Sequence, residues 1–317
     1  MLVTRALPAG SLDELVAAGH EIIGPQHDDR PYTHEELRAA ARHVDGIMCL
    51  LTDRIDRSVL CANAGQLRVV ANVAVGFDNI DVGAAAELGI TVCNTPGVLD
   101  ETTADLAFLL ALAASRLASE AEADLRTGRW TGWGVNQYLG QDVHGRVLGV
   151  VGWGRIGRAV ARRALGFGMT VLHHARRPTG DPGYIAELDD LVARADILTL
   201  HVPLTAECRH LIDARRLALM KPTAVLVNTA RGPVVDEEAL AEALHEGTIF
   251  AAGIDVYERE PAVHPRLLDA PRTVLLPHMG SASVQTRTAM GRLAARGVID
   301  VLAGRAAVNA VPAGSRD

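Results

Sequence analysis

The stretch VLGVVGWGRIGRAVARRAL, residues 147–165, decides the fold. An apolar run leads into three glycines in the pattern G-x-G-x-x-G, and a segment of helical period follows. Such glycines permit a tight turn, a close approach to a pyrophosphate and close packing of helix on strand, while the helix N-terminus supplies free N–H groups and a positive dipole. The pattern therefore predicts a Rossmann dinucleotide-binding unit. The cofactor-binding residues expected in this loop are Gly152, Gly154, Arg155, Ile156 and Gly157.

The next apolar run, in TVLHHARRPTG at residues 170–180, indicates which dinucleotide is bound. In an NAD site this strand ends in Asp or Glu, about 20 residues past the glycines, which accepts hydrogen bonds from the ribose 2′-hydroxyl. Here Ala175 is followed by Arg176 and Arg177, and Asp181 comes only after the turn. Two guanidinium groups suit a 2′-phosphate, so we expect NADP(H) to be preferred over NAD(H). The alternative is a solvated arginine pair on a surface loop.

The first third of the chain shows its own alternation of apolar runs and amphipathic segments. The runs LVTRA, EII, GIMCLL, LRVVANV and ITVC predict a parallel sheet with crossover helices. Ser11 with Glu14, and Thr33 with Glu36, match the S/T-x-x-E capping box, which predicts helix starts after the first two strands.

A second and larger doubly wound sheet is predicted from residue 146 onward. Its strands are RVLGVVG, TVLHHA, DILTLHV, AVLVNTA, AAGIDVY and TVLLPH. Between the two sheets, TADLAFLLALAASR is apolar almost all round and too long for a strand, which predicts a buried helix linking two domains. The tail, residues 283–304, has the apolar spacing of a last helix.

Composition excludes several classes of function. The chain is 49% hydrophobic with a formal net charge of −7, so we expect no nucleic acid partner. Four cysteines without a CxxC pair are typical of reduced core residues, no metal-binding histidine motif occurs, and we expect no metal. We also expect a cytoplasmic protein without a membrane partner, because a signal-peptide core is missing and the longest apolar stretch is too short to span a bilayer.

Four polar residues follow successive strands of the second sheet, at the carboxyl ends where open α/β sheets bind ligands. A histidine that exchanges a proton needs a partner that fixes its tautomer, and a glutamate nearby could serve. Reducing a 2-keto acid also needs a cation for the carboxylate and the developing alkoxide. Each residue alone also fits a structural role. The four are His278 as the acid, Glu260 as its partner, Arg231 as the cation, and Asp255.

With these residues the sequence resembles the D-isomer-specific 2-hydroxyacid dehydrogenases, particularly the glyoxylate/hydroxypyruvate reductase branch. The resemblance spans nearly the whole chain and rests on VGFDNIDV, NTPGVLDETTADLA, VGWGRIGRAV, VNTARGPVVDEEAL, AAGIDVYEREP and LLPHMGSAS. It implies that Arg231, Glu260 and His278 form a catalytic triad that acts on small 2-keto acids. It also implies that Val75 and Gly76 hold the substrate carboxylate with backbone N–H groups. The cofactor-lining positions that it implies are Pro203, Thr229, Asp255 and Gly280.

The resemblance further implies a homodimer and a C-terminal helix that returns to the first domain. The expected fold class is α/β, with two doubly wound parallel-sheet domains. A flavodoxin-like substrate-binding domain, residues 1–97 plus 286–317, holds a Rossmann cofactor domain, residues 98–285, as an insertion. Trp133 matches a tryptophan that reaches the neighbouring subunit's site in such reductases, although it could equally pack at a dimer contact.

Several alternatives stay open at this point. A long-type phosphoglycerate dehydrogenase would need a regulatory C-terminal domain, and formate dehydrogenases of this fold lack the partner that Glu260 provides here. The residue types also fit phosphite or D-lactate oxidation. Outside the enzymes, a corepressor-like relative would sense the dinucleotide and recruit partner proteins. The sequence does not select among glyoxylate, hydroxypyruvate, pyruvate and bulkier keto acids.

Overall fold

The computed structural model describes residues 1–24, 30–63 and 65–312. The chain folds into two compact units, Met1–Leu99 with Ser281–Asp317, and Asp100–Gly280. The first unit is thus built from two separate stretches of chain, with the second unit inserted between them. The domain bounds expected from the sequence, and the assignment of one domain to substrate and the other to cofactor, stay predictions.

The secondary structure of the described residues alternates strands with helices through both units. The strands are β1 Leu2–Val3, β2 Gly46–Cys49, β3 Val69–Asn72, β4 Thr91–Cys93, β5 Val147–Val151, β6 Thr170–His174, β7 Ile197–Leu200, β8 Val225–Asn228, β9 Ala251–Ile254 and β10 Thr273–Leu275. The helices are α1 Asp13–Ala17, α2 His34–Ala40, α3 Arg57–Leu60, α4 Val82–Glu87, α5 Asp100–Ser115, α6 Ala118–Arg126, α7 Arg155–Leu165, α8 Leu188–Arg194, α9 Ala214–Leu217, α10 Glu237–Glu246, α11 Pro265–Leu268 and α12 Val284–Leu302. Short 3-10 turns occupy Ala41–His43, Cys61–Asn63 and Gly232–Val234.

The first unit contains a parallel sheet in the order β1-β2-β3-β4. The predicted strand EII is only an isolated parallel bridge, between Ile23 and Leu2. Counted as a strand, this bridge gives the order 2-1-3-4-5 of the flavodoxin-like sheet. The predicted last helix is confirmed as α12, which belongs to this unit and buries Ala294, Ala295 and Val298.

One predicted capping box is confirmed and the other is wrong. Oγ1 of Thr33 accepts a hydrogen bond from the Glu36 N–H at 3.3 Å, and Oε2 of Glu36 accepts one from the Thr33 N–H at 2.8 Å. The box at Ser11 and Glu14 is wrong, because α1 begins without a side-chain cap. Ser11 instead packs on α12, where a Cβ added to Gly291 would lie 2.6 Å from the Ser11 Cβ. The Ser11 side chain is therefore held by packing on a distant helix and does not form the local cap.

The second unit contains a parallel sheet in the order β10-β9-β8-β7-β5-β6. Beyond β6, Tyr184 forms a parallel bridge to His173, and counting it as a strand gives the order 3-2-1-4-5-6 with a seventh strand added. The predicted Rossmann unit is therefore confirmed. The order reverses between β5 and β7, and this switch point is where such sheets bind ligands.

Helix α5 is the predicted buried helix, and 10 of its 16 residues are buried. It packs on the middle of the sheet, where Gly253 in β9 leaves room for Leu110: a Cβ on that glycine would lie 2.8 Å from the Leu110 Cβ. Among the described residues, no single helix is long and apolar enough to cross a membrane. Only α5 and α6 taken together pass that test of length and composition, and they are bent by 69°.

The glycine loop, residues 152–157, provides a matched pair of substitutions that tests how α7 packs on β5. A Cβ on Gly157 would lie 2.2 Å from the Gly152 carbonyl oxygen, whereas nothing lies within 4 Å of a Cβ on Gly154. We expect Gly157→Ala to lower the free energy of unfolding by about 1–3 kcal/mol, and Gly154→Ala by less than about 1 kcal/mol, the cost of a weaker N-cap.

Urea unfolding followed by tryptophan fluorescence measures this difference, because Trp130, Trp133 and Trp153 all lie in the second unit. Equal losses for the two variants would contradict the packing role assigned to Gly157.

Candidate active site

The loops that follow β9 and β10 bring a histidine and a glutamate into contact. Nδ1 of His278 lies 2.8 Å from Oε2 of Glu260, and both side chains are about three-quarters buried, with 25% and 28% of their surface exposed. Because a carboxylate only accepts, Nδ1 carries the proton that donates this hydrogen bond. The bond therefore orients the ring, and within the described part of the chain Nε2 has no partner.

The charge of Glu260 is set by opposing effects. Burial raises the pKa of its carboxyl. The hydrogen bond from His278 and the charges of His278 and Arg231 lower it, as does the hydrogen bond from the Tyr257 N–H, and these effects together outweigh burial. The Tyr257 N–H donates to Oε1 at 3.0 Å. The net result is a pKa below the ordinary value, so the group is a carboxylate near neutral pH.

Arg231 follows β8 and belongs to the same group of loops. Its guanidinium Nη1 donates to the Ala230 carbonyl at 2.8 Å, and Asn228 holds its backbone through a 3.0 Å bond to the Arg231 carbonyl. The next residue, Gly232, lets the neighbouring loop pass closely, since a Cβ there would lie 1.9 Å from the Tyr257 carbonyl carbon. The Arg231 loop therefore packs directly on the loop that carries the glutamate.

Asp255 fixes the backbone around His278. It is 1% exposed, and its two carboxylate oxygens accept hydrogen bonds from the N–H groups of Met279 at 2.7 Å and Gly280 at 2.8 Å. The His278 N–H donates to the Asp255 carbonyl at 2.8 Å. Burial raises the pKa of Asp255 to about 6, against the opposing hydrogen bond from Met279 and the charge of His278. Its position beside a nicotinamide stays a prediction.

Glu237, which the sequence did not single out, fixes the loop around Glu260. It is 6% exposed at the start of α10, and its carboxylate accepts hydrogen bonds from the N–H groups of Glu258 and His264. Glu258 in return accepts from the Glu237 N–H at 3.1 Å and contacts His210 Nε2 at 3.0 Å. The available signal was the acidic run DEE at the start of α10, where Asp236 alone serves as the N-cap. Because Asp236 already caps the helix, Glu237 can accept hydrogen bonds from the loop that contains Glu260.

The glycine loop makes a tight turn between β5 and α7. Gly152 adopts φ +97°, and a Cβ there would lie 2.3 Å from the His201 carbonyl oxygen. Gly154 is the N-cap of α7 and borders open space. Arg155 pairs with Asp100, Nε to Oδ2, at 3.1 Å.

The other positions predicted to line the cofactor differ in their surroundings. Ile156 packs on the core, and Pro203 is exposed after β7. Thr229 has a buried Oγ1 without a hydrogen-bond partner among the described residues, and Gly280 lies against Asp255.

Arg176 and Arg177 lie in the arginine loop, residues 175–183, which follows β6. Both side chains are exposed, and in the part of the chain that the structure describes neither has a hydrogen-bond or ion-pair partner. Two unpaired guanidinium groups beside the glycine loop suit a ligand that carries an additional phosphate.

In the first unit, the loop after β3 holds Val75 and Gly76. The Asn94 side-chain amide donates to the Val75 carbonyl, and that of Asn72 to the Gly76 carbonyl, each at 2.7 Å. The N–H groups of Val75 and Gly76 donate to no other group among the described residues. Adjacent unpaired N–H groups form a backbone site that suits a carboxylate.

Comparisons with known proteins agree with this architecture. The family model described as "D-isomer specific 2-hydroxyacid dehydrogenase, NAD binding domain" matches residues 108–280. A glyoxylate reductase of Thermococcus onnurineus is 44% identical over 308 residues, which cover 94% of this chain and 91% of that protein. One of Aeropyrum pernix is 45% identical over 322 residues, which cover 98% of this chain and 95% of that protein.

Solved structures of related proteins have the same fold. The crystal structure of an NADPH-dependent glyoxylate/hydroxypyruvate reductase from Sinorhizobium meliloti, in complex with NADP and malonate, is 36% identical with a TM-score of 0.87. The similarity covers 100% of this chain and 98% of that one. The TT0316 protein from Thermus thermophilus is 44% identical with a TM-score of 0.93, over 98% of this chain and 99% of that one.

The raised pKa of Asp255 predicts a pH-dependent contribution to stability. An unfolded aspartate has a pKa of about 3.9, so this contribution is fully present below pH 4 and is lost as the pH rises through about 6. We expect the free energy of unfolding of the wild type, relative to Asp255→Asn, to fall by on the order of 2–3 kcal/mol between pH 4 and pH 7.

Urea unfolding of both proteins across this pH range checks the prediction, because the other titrating groups are common to both and cancel in the difference. Two curves that stay parallel would show that Asp255 titrates normally in the folded state.

Proposed function

The chain belongs to the D-isomer-specific 2-hydroxyacid dehydrogenase family, and on that premise we propose that it reduces glyoxylate and hydroxypyruvate with NADPH. Members of this family are oxidoreductases that act on CH–OH groups, and the glyoxylate reductases reported above support this kind of reaction. The observation that carries the proposal is the 2.8 Å hydrogen bond between Glu260 and His278, together with the charge that Arg231 exerts on that glutamate.

NADPH held at the glycine loop would supply the hydride for the keto carbon. His278 donates the proton on Nε2 to the carbonyl oxygen, so that the product is a 2-hydroxy acid. Glu260 keeps Nδ1 protonated and stabilises the charged imidazole before the transfer. Arg231 stabilises the negative charge of the substrate carboxylate and of the oxygen as it develops.

Taken by itself, the first unit offers a proposed carboxylate site in the loop after β3. Val75 and Gly76 present N–H groups that no carbonyl among the described residues occupies, because asparagine side chains hold the carbonyls of the same two residues. Backbone donors that are fixed in this way bind an anion without first having to reorganise. They recognise the carboxylate that glyoxylate and hydroxypyruvate share, and leave the rest of the substrate unspecified.

The proposed preference for NADPH depends on Arg176 and Arg177. Both are exposed and unpaired in the described residues, and the sequence lacks the acid that an NAD site places at the end of β6. The relative from Sinorhizobium meliloti is described as NADPH-dependent. The open space at Gly154 and its place as the N-cap of α7 fit a dinucleotide pyrophosphate.

A homodimer and a cytoplasmic location are also part of the proposal. Several large apolar side chains of the second unit are exposed, among them Trp133 at 84%. An exposed apolar group of this size supports a self-association surface. The exposed side chains concerned are Leu125, Trp130, Trp133, Val135 and Leu139.

Substitutions at His278 and Glu260 test the acid–base pair. His278→Ala removes the proton donor, so kcat for glyoxylate reduction should fall by about 10²–10⁴-fold while NADPH binding stays within a few-fold of the wild type. Glu260→Gln replaces the carboxylate that accepts from Nδ1 of His278 with a neutral amide, so kcat should fall at least about tenfold, the effect of losing a hydrogen bond to a charged group. The measurement is kcat and KM for glyoxylate at saturating NADPH. A wild-type kcat in Glu260→Gln would refute the assigned role of the glutamate.

A substitution at Arg176 tests cofactor choice. Arg176→Asp replaces a partner of the 2′-phosphate with an acid, so the ratio of kcat/KM for NADPH to that for NADH should fall at least about tenfold. Arg194→Asp, a change of the same charge at another exposed arginine of the second unit, serves as the matched control and should leave the ratio unchanged. If the ratio also stays constant in Arg176→Asp, the arginine loop does not recognise the 2′-phosphate.

A further inference from the structure

The glycine loop is joined to the arginine loop by a side-chain contact that the proposed reaction does not use. Trp153 lies between the first two glycines, and its indole Nε1 donates to Oδ2 of Asp181 at 2.5 Å. The indole ring stacks on the imidazole of His173, with ring centroids 3.7 Å apart and planes at 16°. Because His173 is fully buried in β6, this stacking fixes the plane of the indole and therefore the direction of its N–H.

Further hydrogen bonds hold the arginine loop near the same point. Oγ1 of Thr179 lies 2.7 Å from Nε2 of His173 and accepts a hydrogen bond from the Asp181 N–H at 3.2 Å. The His173 N–H donates to the Gly183 carbonyl at 2.8 Å. The loop is thus attached to β6 at Thr179 and Gly183, and to the glycine loop at Asp181.

The contact also determines where the loop's negative charge lies. Asp181 is the one acid in residues 175–183. Its Oδ2 is engaged by Trp153 and lies 3.3 Å from Nη2 of Arg158, whose guanidinium is 5.9 Å from the indole ring centre. Arg176 and Arg177 have no partner in the described structure although this acid is only a few residues away. A released Asp181 would be the carboxylate closest in sequence to either arginine, and it would also repel a phosphate.

We propose that Trp153 is a specificity-determining positioning residue, which holds Asp181 away from Arg176 and Arg177 and so keeps both arginines available to a 2′-phosphate. This inference rests on the proposed use of NADPH and adds the device that maintains it. It assigns to the residue between the glycines a function that depends on the indole N–H, in addition to its apolar packing.

The test measures binding of adenosine 2′,5′-bisphosphate and of 5′-AMP to the intact protein by calorimetry, since the two probes differ only in the 2′-phosphate. Trp153→Phe keeps an aromatic ring on His173 but removes the donor. The preference for the bisphosphate over AMP should therefore fall at least about tenfold, the effect of losing one hydrogen bond between an arginine and the 2′-phosphate. AMP affinity and kcat at saturating NADPH should change less than about twofold.

A double variant separates this mechanism from a general disturbance of the loop. In Trp153→Phe with Asp181→Ala, no acid is left to compete for the arginines, so the preference for the bisphosphate should return to the wild-type level or exceed it. Asp181→Ala alone should also keep the full preference. If the double variant binds as poorly as Trp153→Phe, or if Trp153→Phe keeps the wild-type preference, the proposal is overturned.

The wild-type measurement tests the proposed function separately. A wild type that binds both probes equally would disprove recognition of the 2′-phosphate. The Trp153 proposal is judged by how the ratio of bisphosphate affinity to AMP affinity changes between the wild type and the variants. If this ratio is the same in the wild type and in Trp153→Phe, the proposal is overturned, whatever the wild-type value is. Thermal unfolding of each variant confirms that the binding data refer to folded protein.

Discussion

The hydrogen bond between Glu260 and His278 is the interaction on which the candidate site depends, and a parallel sheet makes it possible. Strands β9 and β10 are neighbours that run in the same direction, so their following loops emerge at one edge. Each loop is then fixed by a buried acid: Asp255 accepts the N–H groups that follow His278, and Glu237 accepts N–H groups on both sides of Glu260. A short bond between two side chains is thus held by backbone contacts that leave neither loop free to rotate.

A common principle connects the places where we propose that anions bind. In each place, side chains of the protein donate hydrogen bonds to the nearby acceptors, and the nearby donor groups are left unpaired. Asparagine amides occupy the carbonyls of Val75 and Gly76, whose N–H groups remain unpaired among the described residues. The indole of Trp153 donates a hydrogen bond to the carboxylate of Asp181, and Arg176 and Arg177 have no partner among the described residues. Donors fixed before the ligand arrives lose little freedom on binding, which favours carboxylates and phosphates over neutral groups.

Much of this arrangement could be predicted from the sequence because it depends on local patterns. Strand and helix periods predicted both sheets, and the glycine spacing predicted the turn in which a Cβ on Gly157 would meet the Gly152 carbonyl. The contact between Glu260 and His278 followed from their places after neighbouring strands. That the triad and the cofactor-lining residues perform the assigned roles stays a prediction. What the sequence did not reveal depends on contacts between distant residues: Ser11 packs on α12, and Glu237 holds a loop some 20 residues away.

The most direct test of the account is the stoichiometry of turnover by the wild-type protein. With NADPH and glyoxylate, the account predicts that one glycolate forms for each NADPH oxidised, and that hydroxypyruvate is reduced in the same way. Binding of NADPH without reduction of any 2-keto acid would contradict the account and would favour a dinucleotide-sensing role.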